Sequence, residues 1–442
     1  MNRRGLIAGG AGIAALAALG IYSLSPRRSD KHPIALLGED SSNVKAITNY
    51  LNKHAAALKL PATVEATDFN TASSKADTAF ATGSSTYDIV MGYNFSLSPY
   101  VRQGYVYSVD ELKKYNKTGI TFDFETDILP NVWKELGSYA RPPFTDFNDV
   151  QTIAYPFAAN TMLLVYSRTV FEDPRVSQAY RDRFGRDFTP PATWSEFAEV
   201  AQLVPKANPA FKGVVLQGAT GSWLYYEWMN FLFGMGGQVM DKTYGWQSDL
   251  NTPITLNTPE AAAAAQLYLS LKSVNAGDFF SVDVTKQRDL MKAGNIAFAI
   301  MWTDYVPEMA QGPFGFAPIP GDRSMIAGGS FFVNRHSKAP AESLALIAHL
   351  LSKPAQRELA LSGLFPPTRS ALSDPEVLKK PYMPAVAASL ARGVYMAEAG
   401  IDSTLIDDKI TEVLQRAWRG EIEPAAVGSA ATKLIQAGRK SL

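Results

Sequence analysis

Short apolar runs and helically spaced apolar positions take turns along the chain. Ile34-Ala35-Leu36-Leu37 is a run of strand length, closed by Gly38. After it, Ser41 or Ser42 can cap a helix whose apolar residues Val44, Ile47, Leu51 and Leu58 fall near a period of 3.6, and Pro61 breaks it. Val64 to Thr67 reads as a second strand, followed by a polar helix that Gly83 ends, and Tyr87 to Met91 reads as a third strand, closed by Gly92. Strands separated by helices imply right-handed crossovers and a parallel sheet. Ligands of such sheets bind beyond the carboxyl ends of the strands. That rule points to Glu39, Asp40, Asp68, Tyr93 and Asn94.

The pattern resumes as a second α/β unit. Thr152 to Tyr166 is apolar and strand-like, and Thr193 with Glu196 predicts a capping box at the start of a helix. Ala261 to Leu271 is helical in spacing, Met291 to Gly294 ends another helix, and Asn295 to Trp302 is a strand. The last third reads as mostly helical, punctuated by Pro366, Pro367 and Pro384.

The first 30 residues follow a different rule. Arg3-Arg4 precedes an uncharged apolar run from Gly5 to Leu24, which predicts an export signal, or an N-terminal anchor if it is not cleaved. The Arg3 to Ile7 segment resembles a twin-arginine signal, and Ala15-Leu16-Ala17 offers small residues for cleavage. An extracytoplasmic location follows, in the periplasm or tethered to the membrane.

Composition narrows the chemistry. Of 442 residues, 46% are hydrophobic and 19% charged, so the chain can bury a core in each of two lobes. Net charge is zero, and no basic face advertises nucleic acid. With no cysteine, disulfides, thiolate metal sites and a cysteine nucleophile are excluded. The four histidines, His32, His54, His336 and His349, lack zinc-site spacing. Hydrolase, metalloprotease and phosphate-loop motifs are missing as well, so no enzyme and no cofactor are implied. No heptads or long apolar stripes suggest self-association, which predicts a monomer.

Several segments in order resemble the family 1 extracellular solute-binding proteins of ABC importers, the family of the maltose- and maltodextrin-binding proteins. They are Tyr87 to Met91 with Tyr100 to Leu112, Ala154 to Pro156 with Leu164 to Arg168, Pro191 to Phe197, Met291 to Trp302, Gly315 to Pro320 with Gly328-Gly329, and Phe365 to Arg369. Ser167 stands where that family usually has Asn. The resemblance implies an α/β, two-lobed periplasmic-binding-protein fold with hinge strands and a ligand cleft between the lobes. It places crossings near residues 152–157, 315–320 and 365. The lobes would be 31–153 plus 321–364, and 154–320 plus 365–442. It also implies a small polar solute, a carbohydrate above all, and permease and ATPase partners in the membrane.

Sugar recognition needs flat aromatic faces and placed polar groups. Trp223 to Trp228 is the richest aromatic stretch; in a helix Trp223 and Tyr226 share one face, Tyr225 and Trp228 another. Trp223, Tyr226 and Trp228 are candidates there, with core packing as the competing role, and Glu227 reads as solvated. Trp302 and Asp304 follow a strand that ends at the cleft. Tyr155 and Asn160 lie along the first crossing, Gly328 and Gly329 allow close backbone approach, and Arg369 could serve a hydroxyl or an anion. The adjacent phenols Tyr225-Tyr226 keep ferric iron open as a second reading. A polyamine, an anionic sugar derivative met by Arg369, Arg323 or Lys292, and a carboxylate-pair glycoside hydrolase are further alternatives.

Overall fold

The computed structural model describes residues 33–116, 119–146, 148–221, 223–241, 250–395 and 402–442. Residues 1–30, read above as an export signal or anchor, and His32 lie outside them. None of the described helices is long and apolar enough to cross a membrane.

The strands are β1 (Ile34–Glu39), β2 (Ala62–Thr67), β3 (Ile89–Tyr93), β4 (Ser138–Ala140), β5 (Val150–Thr152), β6 (Tyr155–Pro156) and β7 (Asn160–Ser167), then β8 (Lys212–Val214), β9 (Ile296–Trp302), β10 (Phe314–Pro318), β11 (Met325–Ala327), β12 (Gly329–Val333) and β13 (Val394–Tyr395). They form two main sheets. The first runs β2-β1-β3-β12-β6, with β1 parallel to both β2 and β3 as the alternating pattern predicts. The second runs β13-β11-β7-β9-β8, with β10 alongside β7. The two central strands of the second sheet, β7 and β9, are almost wholly buried. That burial fits their apolar runs, Met162 to Tyr166 and Ile296 to Trp302.

Local signals set most boundaries. The Ser41 hydroxyl accepts from Val44 N–H and starts the helix Ser42–Leu58, which buries Val44, Ile47 and Leu51. Asp68 caps the helix Phe69–Ala81 through Thr71 N–H. Gly38 does not close β1 but lies within it, where added bulk would strike Met91. At Thr193 half of the expected capping box forms. Its hydroxyl accepts from Glu196 N–H, but the Glu196 carboxylate turns to Ala192 N–H, Arg186 and Tyr180 instead.

The chain passes from the first sheet to the second between β6 and β7, at residues 157–159. The return differs from the expected crossing at 315–320. Those residues largely form β10, which doubles back antiparallel on β7, and β11 also stays in that sheet. The change of sheet comes at Gly328, between β11 and β12. Its φ is +140°, and a Cβ there would meet the Ala158 carbonyl oxygen at 2.1 Å. Only glycine tolerates both constraints. The two crossings therefore lie side by side, joined by Gly329 N–H to Ala158 O (3.2 Å) and Phe157 N–H to Gly329 O (2.9 Å). A third passage follows Phe365, whose carbonyl accepts from Ala159 N–H at 2.8 Å.

Candidate functional site

Between the two sheets lies a cleft of about 590 Å³. The first sheet supplies Glu39 from the end of β1 and Tyr93 from the end of β3, joined by Phe69 and Asn70 at a helix start and by Phe95. The second supplies Asn160 from the start of β7, Trp302 from the end of β9, then Asp304 and Tyr305. Trp223 and Tyr226 come from the helix Trp223–Gly234, and Gly221, Ala327 and Gly328 complete the lining. The carboxyl ends of parallel strands β1 and β3 thus face the cleft, as the topology rule requires.

The aromatic rings form two walls. On one side Tyr93 stacks with Phe95 (centroids 5.7 Å, 19° between planes) and Phe69 meets Phe95 edge-on at 5.8 Å. On the other, Tyr226 meets Trp302 edge-on at 5.8 Å. The helix that carries Tyr226 splits its rings by face: Trp223 and Tyr226 reach the cleft, while Tyr225 and Trp228 are buried in the core. The Tyr225 and Tyr226 rings lie 5.4 Å apart, but Tyr225 is buried in the core and only Tyr226 lines the cleft, so the two do not face it as a pair. The iron reading loses its ligand pair. Among the described residues no group of His, Asp and Glu could hold a metal.

Glu227 corrects the sequence reading. It is fully buried, not solvated, and its carboxylate accepts from Gln217 N–H (2.9 Å), the Tyr268 hydroxyl (2.8 Å) and the Gln287 amide (2.8 Å). Burial pushes its pKa up to about 8 against these three donors. It anchors the aromatic helix from behind.

Asp304 sits at the floor of the cleft in a network that spans both sheets. Its Oδ1 accepts from the Ser42 hydroxyl and the Asn43 amide, each at 3.2 Å, and its Oδ2 accepts from the Asn160 amide at 2.5 Å. Asn43 also donates to Asn160 Oδ1 (3.2 Å), and its own Oδ1 accepts from Phe365 N–H at 3.0 Å. Beside it the Tyr93 hydroxyl donates to Glu39. Burial, opposed by the Ser42 hydrogen bond and aided by the Glu39 charge, raises the Asp304 pKa to about 6. Burial first, then the Glu39 charge, raises Tyr93 well above the usual phenol range.

An acid whose pKa rises on folding binds its proton more tightly in the native state. The contribution of Asp304 to stability is therefore fullest below its unfolded value near 3.8 and is lost as pH climbs through about 6. Part of the carboxylate meets the open cleft, so the expected loss is of order 1 kcal/mol. Urea titrations of the solute-free protein at pH 4.5 and 7 should show that slope, and Asp304→Asn should lack it. Equal slopes in the two proteins would remove the effect.

The cleft gathers eight of the sequence-predicted residues: Glu39, Tyr93, Asn160, Trp223, Tyr226, Trp302, Asp304 and Gly328. Seven lie elsewhere. Asp40 points to solvent and pairs with Lys45 at 3.2 Å. Asp68 is spent as a helix cap. Asn94 is buried in the turn after β3, and Gly329 packs on the Phe157 ring within β12. Tyr155 is enclosed between Phe124 and Trp133, its hydroxyl donating to Glu125 at 2.7 Å. Trp228 belongs to the core, and Arg369 is exposed at the start of a short helix. Ser42, Asn43, Phe69, Asn70, Phe95 and Tyr305 were not among the sequence candidates. Phe95 and Tyr305 each follow a predicted post-strand position by one residue, and that proximity was the signal available for them.

Two α/β lobes joined by short crossovers, with an aromatic and carboxylate-lined cleft between, define a two-lobed solute receptor. The chain belongs to the family of bacterial extracellular solute-binding proteins, matched over residues 46–357. Among solved structures, it is similar to the maltose-bound MalE3 of T. maritima (19% identity, 91% of this chain and 99% of that one, TM-score 0.69). It also resembles a ribitol-bound ABC transporter solute-binding protein of Agrobacterium radiobacter K84 (20%, 92% and 100%, 0.70). A third is the cyclic alpha-maltosyl-1,6-maltose binding protein of Arthrobacter globiformis (18%, 93% and 100%, 0.72). A curated relative, a probable amino-acid ABC transporter periplasmic-binding protein of Sinorhizobium fredii, is 27% identical over 209 residues, 45% of this chain. The chain spans about half of that relative's length, 46%.

Proposed function

We propose that this solute-binding protein is the receptor component of an ABC importer, and that it captures a carbohydrate or polyol outside the cytoplasmic membrane. One observation carries this reading. Aromatic faces stand on both walls of the cleft, with the carboxylates Glu39 and Asp304 and the Asn160 amide between them. Rings of this kind cover the C–H face of a sugar, and the polar groups satisfy hydroxyls that would otherwise be buried unpaired. Relatives of the same fold hold maltose and ribitol. An amino acid, the solute named for the Sinorhizobium relative, would bring a carboxylate, and no described lining residue carries a positive charge to meet it.

Within this reading residues 1–30 direct export and the protein works as a monomer. The first lobe comprises β1 to β6 with the segment from β12 to residue 364, and the second comprises the remainder. Binding closes the lobes by rotation at the paired crossings near Ala158 and Gly328. It catalyses no reaction. Thermal-shift screening against sugars and polyols should find a solute that, at a hundred times its dissociation constant, stabilises the fold by about 2.7 kcal/mol. The same solute should compact the molecule in small-angle scattering. Superimposable scattering curves with and without a stabilising solute would reject the hinge, and a screen in which only non-carbohydrates stabilise would reject the sugar.

A further inference from the structure

Resting on the carbohydrate reading, we propose that the solute is cationic: a sugar bearing a protonated amine, whose nitrogen sits between Glu39 and Asp304. The described lining carries two carboxylates and no Lys, Arg or His. Both carboxylates are met by neutral donors, Tyr93 for Glu39 and Ser42, Asn43 and Asn160 for Asp304. They sense each other, since the charge of Glu39 adds to burial in holding a proton on Asp304. Two acids facing one cleft whose described lining has no basic residue repel, and a bound cation relieves that repulsion.

The basic residues that could neutralise them are engaged or distant. Arg288 lies 6.0 Å from the Tyr305 ring but is held by Asp289 and Glu308. Lys292 pairs with Glu308 at 2.7 Å. Arg323 and Arg369 are exposed and outside the lining. This placement removes the support that the sequence lent to an anionic sugar derivative. An ammonium group suits this lining on two counts. It offers three N–H donors and a full charge to a pair of acceptors. Its charge is also attracted by aromatic faces, which here come from both lobes, best of all by tryptophan.

The test measures affinities of the full chain at pH 6.5 by calorimetry for glucosamine and its β-1,4 dimer, their N-acetylated forms, glucose, glucose 6-phosphate and putrescine. The amine-bearing sugars should bind about tenfold or more tighter than their N-acetylated forms, with the phosphate weakest. Added salt should narrow the gap. In Glu39→Gln, with folding checked by its melting curve, the amine-to-acetyl ratio should shrink about fivefold or more. The wild-type ranking stands as a test even if that variant misfolds. Equal affinity for amine and N-acetyl forms, or a preference for the phosphate, overturns the proposal and leaves the carbohydrate reading standing. Binding of putrescine with every sugar silent does the reverse, keeping the charge preference and ending the carbohydrate reading. A panel silent throughout counts against both.

Discussion

Trp302→Ala is expected to weaken solute binding about thirtyfold or more and to destabilise the fold as well. The ring lines the cleft at the end of β9, yet it is only 8% exposed and packs against Tyr226 and the core of its lobe. Losing a buried aromatic anchor costs about 2 kcal/mol or more in binding, which is roughly thirtyfold. Emptying its seat in the core costs about 3 kcal/mol of stability. A ring wholly in the cleft would have cost affinity alone. Calorimetry on the folded fraction, with melting curves alongside, separates the two losses. Trp302→Phe should recover most of the stability and only part of the affinity. Full affinity in folded Trp302→Ala would take this ring out of the site.

Glu227→Leu should cost about 3 kcal/mol of stability at pH 6, because it strands the Gln217 N–H and the Gln287 amide in a dry interior. The pH dependence carries a second signature. Folding raises this acid from about 4.5 to about 8, so its contribution is fullest below 4.5 and falls as pH rises through 8. Wild type should therefore lose stability over that window relative to Glu227→Leu, so that the gap between them narrows with pH. Urea unfolding at pH 5, 6.5 and 8 measures it. A gap that widens with pH would mean that Glu227 is ionised in the native protein.

Much of this architecture was written locally. Ser41 and Thr193 announced helix starts, and the carboxyl ends of β1, β3 and β9 marked the cleft through Glu39, Tyr93, Trp302 and Asp304, whereas Asp68, a ligand candidate by the same rule, is a helix cap. Periodicity also sorted the aromatic helix, since Trp223 and Tyr226 had to share a face. What local pattern could not say is which face would be dry. Trp228 and Tyr155 look like site residues by type but lie behind it, closed in by partners distant in sequence. Ser42 and Asn43 were invisible for the same reason. Their partner Asp304 is 262 and 261 positions away, and nothing in a capping serine or its neighbour foretells that reach. The crossing near 315–320 came from the family resemblance, and the pairing of β10 with β7, a tertiary fact, puts the change of sheet at Gly328 instead.

The contact of Ser42 and Asn43 with Asp304 has a kinetic meaning. It links the start of the helix Ser42–Leu58 to the floor of the cleft across the two sheets. Were this clasp to hold the receptor shut for part of the time, a solute could enter only during the remainder. The observed affinity would then be the intrinsic one scaled by the fraction of open molecules. The walls of the cleft decide which solute stays, whereas this small polar clasp would decide how often the door is ajar. Uptake at scarce solute would be governed by both, and the two could be tuned in evolution independently of each other.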